Sequence, residues 1–217
     1  MKTLFKAIAV ASLATATAAQ AELSASVAVD SEYVFRGVTL DSDATTSATL
    51  EYAISGLTVG AWIADDEAGE TDLYVSYGLN VGGVDLGISF TDYSYDSDGY
   101  GGQQEVAVSA SVKGLGLSYV DGSDDNSDDS SSTTDADYNV ITLDYTVGNV
   151  NVLVGQVDND GVTSEEAYDY SYFELSGSLG QIAGLDASLT ITGTFDESEA
   201  FDNQDSIVIG FSKAFDL

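Results

Sequence analysis

The charged residues of the first predicted strand are those whose types and spacing could do chemistry. Residues 23–40 alternate apolar and polar side chains, and this period of two predicts one continuous strand. On this parity Arg36, the one arginine in the sequence, shares a face with Asp30 and Glu32. A cation among carboxylates in a confined lumen creates a transverse field that can orient a solute. The alternative is a structural ion pair, with Glu51 of the next strand as the partner.

The other charges predicted on this inward face are all acidic, and rings of Asp and Glu favour cations over anions. The alternative is that several of them lie near the rims and only solvate the mouths. The predicted lumen or constriction residues are Arg36, Asp30, Glu32, Glu51, Asp144 and Glu174, and the same parity adds Asp72, Asp85 and Asp186 as inward acids.

Two loops carry carboxylates at a spacing similar to that of calcium-binding loops. Asp96 and Asp98 precede Gly99, and Asp158 and Asp160 precede Gly161. Neither segment has the bidentate Glu of a complete EF-hand loop, so the similarity is weak. We therefore expect solvated loops with loose screening by cations, no metal site and no cofactor.

The composition excludes several classes of function. The sequence has no histidine and no cysteine, which removes the usual general base, the common nucleophile systems and the usual zinc ligands. An enzyme is therefore not expected. The formal net charge of −32 excludes nucleic acid as a partner.

The N-terminal segment, residues 1–21, has the pattern of an export signal. Lys2 and Lys6 precede a short apolar run, and Ala19-Gln20-Ala21 fits a cleavage site with small residues. The alternative, an amphipathic first helix of the fold, is disfavoured because an alternating strand follows directly. We expect residues 1–21 to be removed and residues 22–217 to form one domain.

The connections between the predicted strands alternate in length. About twelve strands of roughly eight to eleven residues are joined in turn by a short glycine-containing turn and a long acidic loop. This is the pattern of a transmembrane antiparallel β-barrel, with short periplasmic turns and long extracellular loops. A secreted, acidic, calcium-dependent β-sandwich acting as an adhesin is the main alternative.

Strand parity also predicts which side chains face lipid and which face the lumen. In the first strand, Tyr33 and Phe35 fall on the apolar face. In later strands the predicted lipid-facing residues include Leu50, Val75, Val108 and Ile191, and the predicted inward residues include Thr49, Ser76, Ser109 and Thr190.

A short ordered series of motifs resembles a known family. The series comprises Tyr33-Val34-Phe35-Arg36-Gly37, Leu50-Glu51-Tyr52, Gly60-Ala61-Trp62 and Glu70-Thr71-Asp72-Leu73-Tyr74. It is similar to the TorF family of outer-membrane porins. The resemblance implies an outer-membrane barrel and, beyond that, a channel.

Together these observations predict the function and the partners. We expect a barrel in the cell outer membrane, inserted by the barrel-assembly machinery, that lets small solutes or ions pass passively with a preference for cations. A non-conducting structural barrel remains an alternative. Outer-membrane lipid and small solutes or cations are the expected partners, and the sequence leaves the oligomeric state open.

Overall fold

The structure is a computed structural model, and it describes residues 21–96, 102–125, 136–160, 169–195 and 204–217. The predicted export signal, residues 1–21, therefore lies almost wholly outside the described residues. The described part of the chain is built from strands: β1 Glu22–Asp30, β2 Tyr33–Phe35, β3 Val38–Asp41, β4 Thr45–Ile54, β5 Leu57–Asp65, β6 Glu70–Val81, β7 Val84–Tyr95, β8 Gly102–Val112, β9 Leu115–Asp125, β10 Ala136–Val147, β11 Val150–Asp160, β12 Tyr170–Ile182, β13 Leu185–Phe195 and β14 Asp205–Asp216.

Twelve of these strands, β1 and β4 to β14, close into an antiparallel barrel. Each strand pairs with its neighbours in sequence, and β1 closes the wall by pairing with both β4 and β14. The predicted strand number is confirmed. The sandwich alternative is wrong, because the twelve wall strands close into one barrel instead of forming two stacked sheets.

The two ends of the barrel differ, as the sequence pattern predicts. One end carries tight turns such as Ser55-Gly56 and Lys113-Gly114, in which both residues have positive φ. This conformation matches the right-handed twist of the flanking strands and suits glycine at the second position. The other end carries the longer, acidic connections, and β1 begins and β14 ends at the end with the short turns.

The predicted alternation of side chains is confirmed. Leu50 is 51% exposed on the outside of the barrel, and Val108 is 46% exposed. Val75 and Ile191 are exposed in the same way, while Thr49, Ser76, Ser109 and Thr190 alternate with them and are half-buried. The outer surface is thus a continuous apolar belt, which a protein in water would not present.

The first predicted strand, residues 23–40, is not continuous. Strand β1 ends at Asp30, and β2 and β3 form a separate small hairpin that turns at Arg36 and Gly37. Both turn residues have positive φ, 51° for Arg36 and 82° for Gly37, so this is the same kind of two-residue turn as those at the short-turn end. The prediction that Arg36 shares one strand face with Asp30 and Glu32 is therefore wrong.

The interior also differs from a uniformly polar lining. Strands β9 to β12 bury an apolar cluster on their inner faces, consisting of Val120, Tyr138, Val140, Leu153, Val157 and Tyr172. Side-chain packing therefore fills this side of the lumen. No helix in the described ranges is long and apolar enough to cross a membrane.

Candidate functional site

The most buried polar site lies where the hairpin of residues 33–41, here called the lumen hairpin, meets the inner wall of the barrel. The hairpin belongs to the connection between β1 and β4 and folds inward rather than outward. Its residues approach β5 to β8 on one side, β10 further around the wall and β12 to β14 on the other side. The hairpin therefore crosses the lumen.

An ion pair between Arg36 and Glu105 lies at the centre of this site. A guanidinium nitrogen, Nη2, of Arg36 is 2.7 Å from Glu105 Oε1, and the two side chains are only 9% and 7% exposed. Glu105 belongs to the inner face of β8. In a pair this well buried, each charge depends on the other, because either charge alone would be costly to bury.

Two tyrosine hydroxyls complete the surroundings of Glu105. The hydroxyl of Tyr93 donates to Glu105 Oε2 at 2.9 Å, and that of Tyr138 donates to Oε1 at 2.8 Å. Both carboxylate oxygens thus accept a hydrogen bond from the wall, and Oε1 is also paired with the hairpin. These hydrogen bonds from the wall hold the Glu105 carboxylate in a fixed position, in which it can bind a cation.

Aromatic rings enclose the guanidinium of Arg36. Its Cζ atom lies 4.5 Å from the ring centroid of Phe35 and 5.8 Å from that of Tyr138, distances at which cation–π attraction operates. Burial alone would lower the pKa of Arg36, but the Glu105 carboxylate raises it, and the net shift is upward. Arg36 therefore carries a permanent positive charge in the lumen.

The first arm of the lumen hairpin is attached to β5 and β6. The hydroxyl of Tyr33 donates to Glu70 Oε2 at 2.8 Å, and its ring lies 5.8 Å from that of Trp62. Tyr33 is 4% exposed. Tyr33 and Phe35, which the parity placed toward lipid, are thus inside the barrel, because the hairpin leaves the wall after β1.

The second arm is attached to the start of β14, which lies on the other side of β1 from β5 and β6. The Thr39 backbone N–H donates to Gln204 Oε1 at 2.8 Å, and the Thr39 and Ser206 hydroxyl oxygens are 2.8 Å apart. Ser206 also donates to Glu32 Oε2 at 3.0 Å. Glu32 thus helps to attach the segment that enters the hairpin.

Gly37, at the tip, fits closely against the wall. A Cβ atom added there would lie 2.8 Å from Tyr172 Cβ and 2.9 Å from the Gly193 carbonyl oxygen. With its positive φ, this position requires glycine for two independent reasons.

Two cavities flank the lumen hairpin. A small one of about 50 Å³ lies against Arg36 and Glu105, lined further by wall residues such as Ser118 and Thr142. It holds a few water molecules at most. The second, of about 590 Å³, opens at the long-loop end and is lined by five carboxylates, those of Asp41, Asp43, Asp65, Asp66 and Glu67.

The structure brings only some of the predicted lumen residues together. Arg36 lies inside the barrel as predicted, but its partner is Glu105, so the predicted pairing with Glu51 is wrong. Glu51 lies on the inner face of β4 and accepts a hydrogen bond from the Tyr74 hydroxyl at 2.8 Å. The roles of the predicted residues in solute passage stay predictions.

Three further predicted residues lie apart from the ion pair. Asp144, near the short-turn end, accepts a 3.3 Å hydrogen bond from Asn151 Nδ2. Asp30 and Glu174 alternate with outward side chains and face inward from β1 and β12.

Glu70 and Glu105 are two site carboxylates absent from the sequence-based set. Each lies near the start of its strand beside an acidic loop, and such residues are easily interpreted as solvated rim charges. Strand parity contained the missing signal, because Glu105 alternates with the outward Val106 and Val108.

The weak calcium-like motifs gain no support from the structure. Asp98 and the side chain of Asp160 lie outside the described residues, whereas Asp96 and Asp158 are exposed at the long-loop end. Among the residues that are described, no group of three or more potential ligands is arranged to hold a metal ion.

Comparison with solved structures shows the same fold. The chain resembles the KdgM porin with a TM-score of 0.57 and 10% sequence identity, covering 88% of this chain and 99% of that chain. A structure from a study of the in-meso crystallization of membrane proteins also matches, with a TM-score of 0.57 and 8% identity, covering 90% of this chain and 84% of that chain.

No family model and no curated protein matches the chain. The resemblance to the TorF family therefore stays a prediction. At identities this low, the structural likeness establishes the barrel and leaves the activity to be argued from the residues.

Proposed function

We propose that the protein is an outer-membrane channel for the passive passage of small solutes or ions, with a preference for cations. The observation that carries the proposal is the closed twelve-stranded barrel, whose outer face carries an apolar belt and whose inner face carries carboxylates such as Glu51, Glu70 and Glu105. An unbroken apolar exterior fits hydrocarbon, and a closed sheet leaves no unpaired backbone groups in lipid.

The preference for cations rests on the sign of the inward charges. Among the described residues that face the lumen, Arg36 is the one cation, whereas the acids include Glu51, Glu70, Glu105 and Glu174. Five carboxylates around the outer cavity add a negative potential at the mouth. Such a mouth concentrates cations and repels anions.

A liposome flux assay tests the channel proposal. Purified protein is reconstituted into vesicles loaded with a small cationic dye or with K⁺, and release is followed after dilution. We expect release that scales with the number of inserted barrels and that is absent when heat-unfolded protein is added. Properly inserted barrels that release neither ions nor small sugars would contradict the proposal.

A non-conducting structural barrel is the second candidate, and one observation favours it. The lumen hairpin and the apolar cluster of β9 to β12 fill much of the interior, and the cavity at the ion pair is only about 50 Å³. The flux assay separates the two candidates, because a permanently filled barrel inserts without release.

A further inference from the structure

The lumen hairpin is the feature with the strongest consequence for a channel. Its contacts reach the wall through Trp62 and Glu70 on one side, through Glu105, and through Tyr172 and Ser206 on the other side. Beside the central ion pair the remaining cavity is about 50 Å³. With the hairpin in this position, the space beside the ion pair is too small for a sugar to pass.

The wall of the barrel does not need the hairpin. Strands β1 and β4 pair directly up to Asp30 and Thr45, the residues that flank the connection. The hairpin also pairs within itself, between β2 and β3. It can therefore leave the lumen as a folded unit while the ladder that closes the barrel stays intact.

Besides its aromatic packing, the hairpin is held by polar contacts that can exchange with water. They are the Tyr33 bond to Glu70, the Thr39 bonds to Gln204 and Ser206, and the Arg36 pair with Glu105. Breaking the ion pair by removing one partner is costly, because the other charge is then left buried and unpaired.

We propose that the lumen hairpin is a displaceable plug that closes the barrel, and that Glu105 is the residue that latches it by binding Arg36. This inference rests on the proposed channel function. When the plug leaves, Arg36 moves out with it and Glu105 stays on the wall. The opened lumen is then more acidic than the closed one.

A reversible disulfide tests whether the hairpin closes the barrel. The chain has no cysteine, so Thr39→Cys/Ser206→Cys introduces a single pair at positions whose hydroxyl oxygens are 2.8 Å apart. In planar bilayers we expect the oxidised protein to conduct at least about tenfold less than the same protein after reduction. Each single-cysteine variant should not respond to the reductant. Equal conductance before and after reduction would overturn the inference.

A second variant separates the plug from the channel proposal. Residues 31–44 are replaced by Asn-Gly, a two-residue turn that suits the directly paired Asp30 and Thr45. We expect this barrel to conduct continuously. If it conducts and the oxidised disulfide variant conducts equally, the plug inference fails while the channel stands. If the shortened barrel inserts without conducting, the channel proposal fails and the plug has nothing to close.

The latch itself is tested with Glu105→Gln, which keeps the size of the side chain and removes its charge. The matched control is Asp121→Asn, the same chemical change at an exposed carboxylate in the adjacent strand β9. We expect Glu105→Gln to raise the ratio of open to closed time by about tenfold or more, and Asp121→Asn to leave it unchanged. An unchanged ratio for Glu105→Gln would remove Glu105 from this role.

Discussion

Three side chains meet at the carboxylate of Glu105. It binds Arg36 at 2.7 Å and accepts hydrogen bonds from Tyr93 and Tyr138. A buried pair adds little net stability over an apolar packing of the same shape, but breaking it from one side is costly. The two residues should therefore behave as a unit when they are mutated.

A double-mutant cycle measures this coupling. Arg36→Gln or Glu105→Gln alone should lower the free energy of unfolding by about 3 kcal/mol, because each leaves an unpaired buried charge. The double variant should lose at least about 2 kcal/mol less than the sum of the single changes. Urea unfolding in detergent micelles provides the four free energies.

The matched control for this cycle is the pair formed by Asn80 and Asp85. Its hydrogen bond of 2.7 Å is exposed at the short-turn end. We expect a coupling below about 0.5 kcal/mol there. Additive effects at Arg36 and Glu105, equal to those of the control pair, would contradict the buried geometry.

Gly37 offers a second prediction at the residue scale. Gly37→Ala and Gly83→Ala both place alanine at positive φ, 82° and 88°, so both incur the same backbone strain. Only Gly37 faces a wall, whereas nothing lies within 4 Å of a Cβ atom at Gly83. Thermal unfolding should show Gly37→Ala to be less stable than Gly83→Ala by about 1 to 3 kcal/mol. Equal losses would mean that the hairpin tip is not packed as described.

Single residues also show what the sequence could and could not reveal. The inward position of Arg36 was predictable, because an arginine facing lipid is costly. Its partner was not, because Glu105 lies 69 positions away in the sequence and no local pattern connects them. Pairs across a lumen depend on which strands face each other, and this depends on how the connections fold.

At the scale of elements, the two-residue period predicted the wall strands well, because one face of each strand meets an apolar environment. A probe of side-chain environment should reproduce this period. Spin labels on single cysteines at Leu50 and Val108 should collide readily with dissolved oxygen, which concentrates in lipid. Labels at Thr49 and Ser109 should collide much less. Equal oxygen accessibility at both parities would contradict the register.

The first connection is the element that sequence reasoning placed wrongly. The stretch from Tyr33 to Leu40 keeps the alternating pattern of a strand, so parity alone extends β1 through it. A local signal was present, since Arg36-Gly37 has the same form as the turn dipeptides Ser55-Gly56 and Lys113-Gly114. The inward path of the hairpin was not predictable, because it follows from tertiary contacts with Glu70, Glu105 and Ser206.

At the scale of the whole molecule, the alternation of short turns and long acidic loops was enough to predict a closed barrel of about twelve strands. Closure pairs the backbone groups at the edges of the wall strands, and the apolar belt then requires a lipid surrounding. The filled interior was harder to predict. Val140 and Leu153 have the residue types of a lipid face, and only their alternation with the outward Ile141 and Val154 indicates that they lie inside.

The distribution of charge makes a prediction for the whole barrel. The net charge of −32 and the acidic outer cavity should favour cations most strongly at low ionic strength, because salt shortens the range of the field. Raising the salt concentration on both sides should therefore reduce the preference. A preference that does not depend on salt would mean that the mouth charges do not act on permeating ions.

The central claim, a passive channel that prefers cations, is tested most directly by the reversal potential of the reconstituted protein in a KCl gradient. We expect discrete conductance events whose current reverses at a potential displaced toward the equilibrium potential of K⁺. The barrel with residues 31–44 replaced by Asn-Gly should show the same sign with more frequent events. Reversal displaced toward the equilibrium potential of Cl⁻, or inserted barrels that carry no current in either form, would contradict the account.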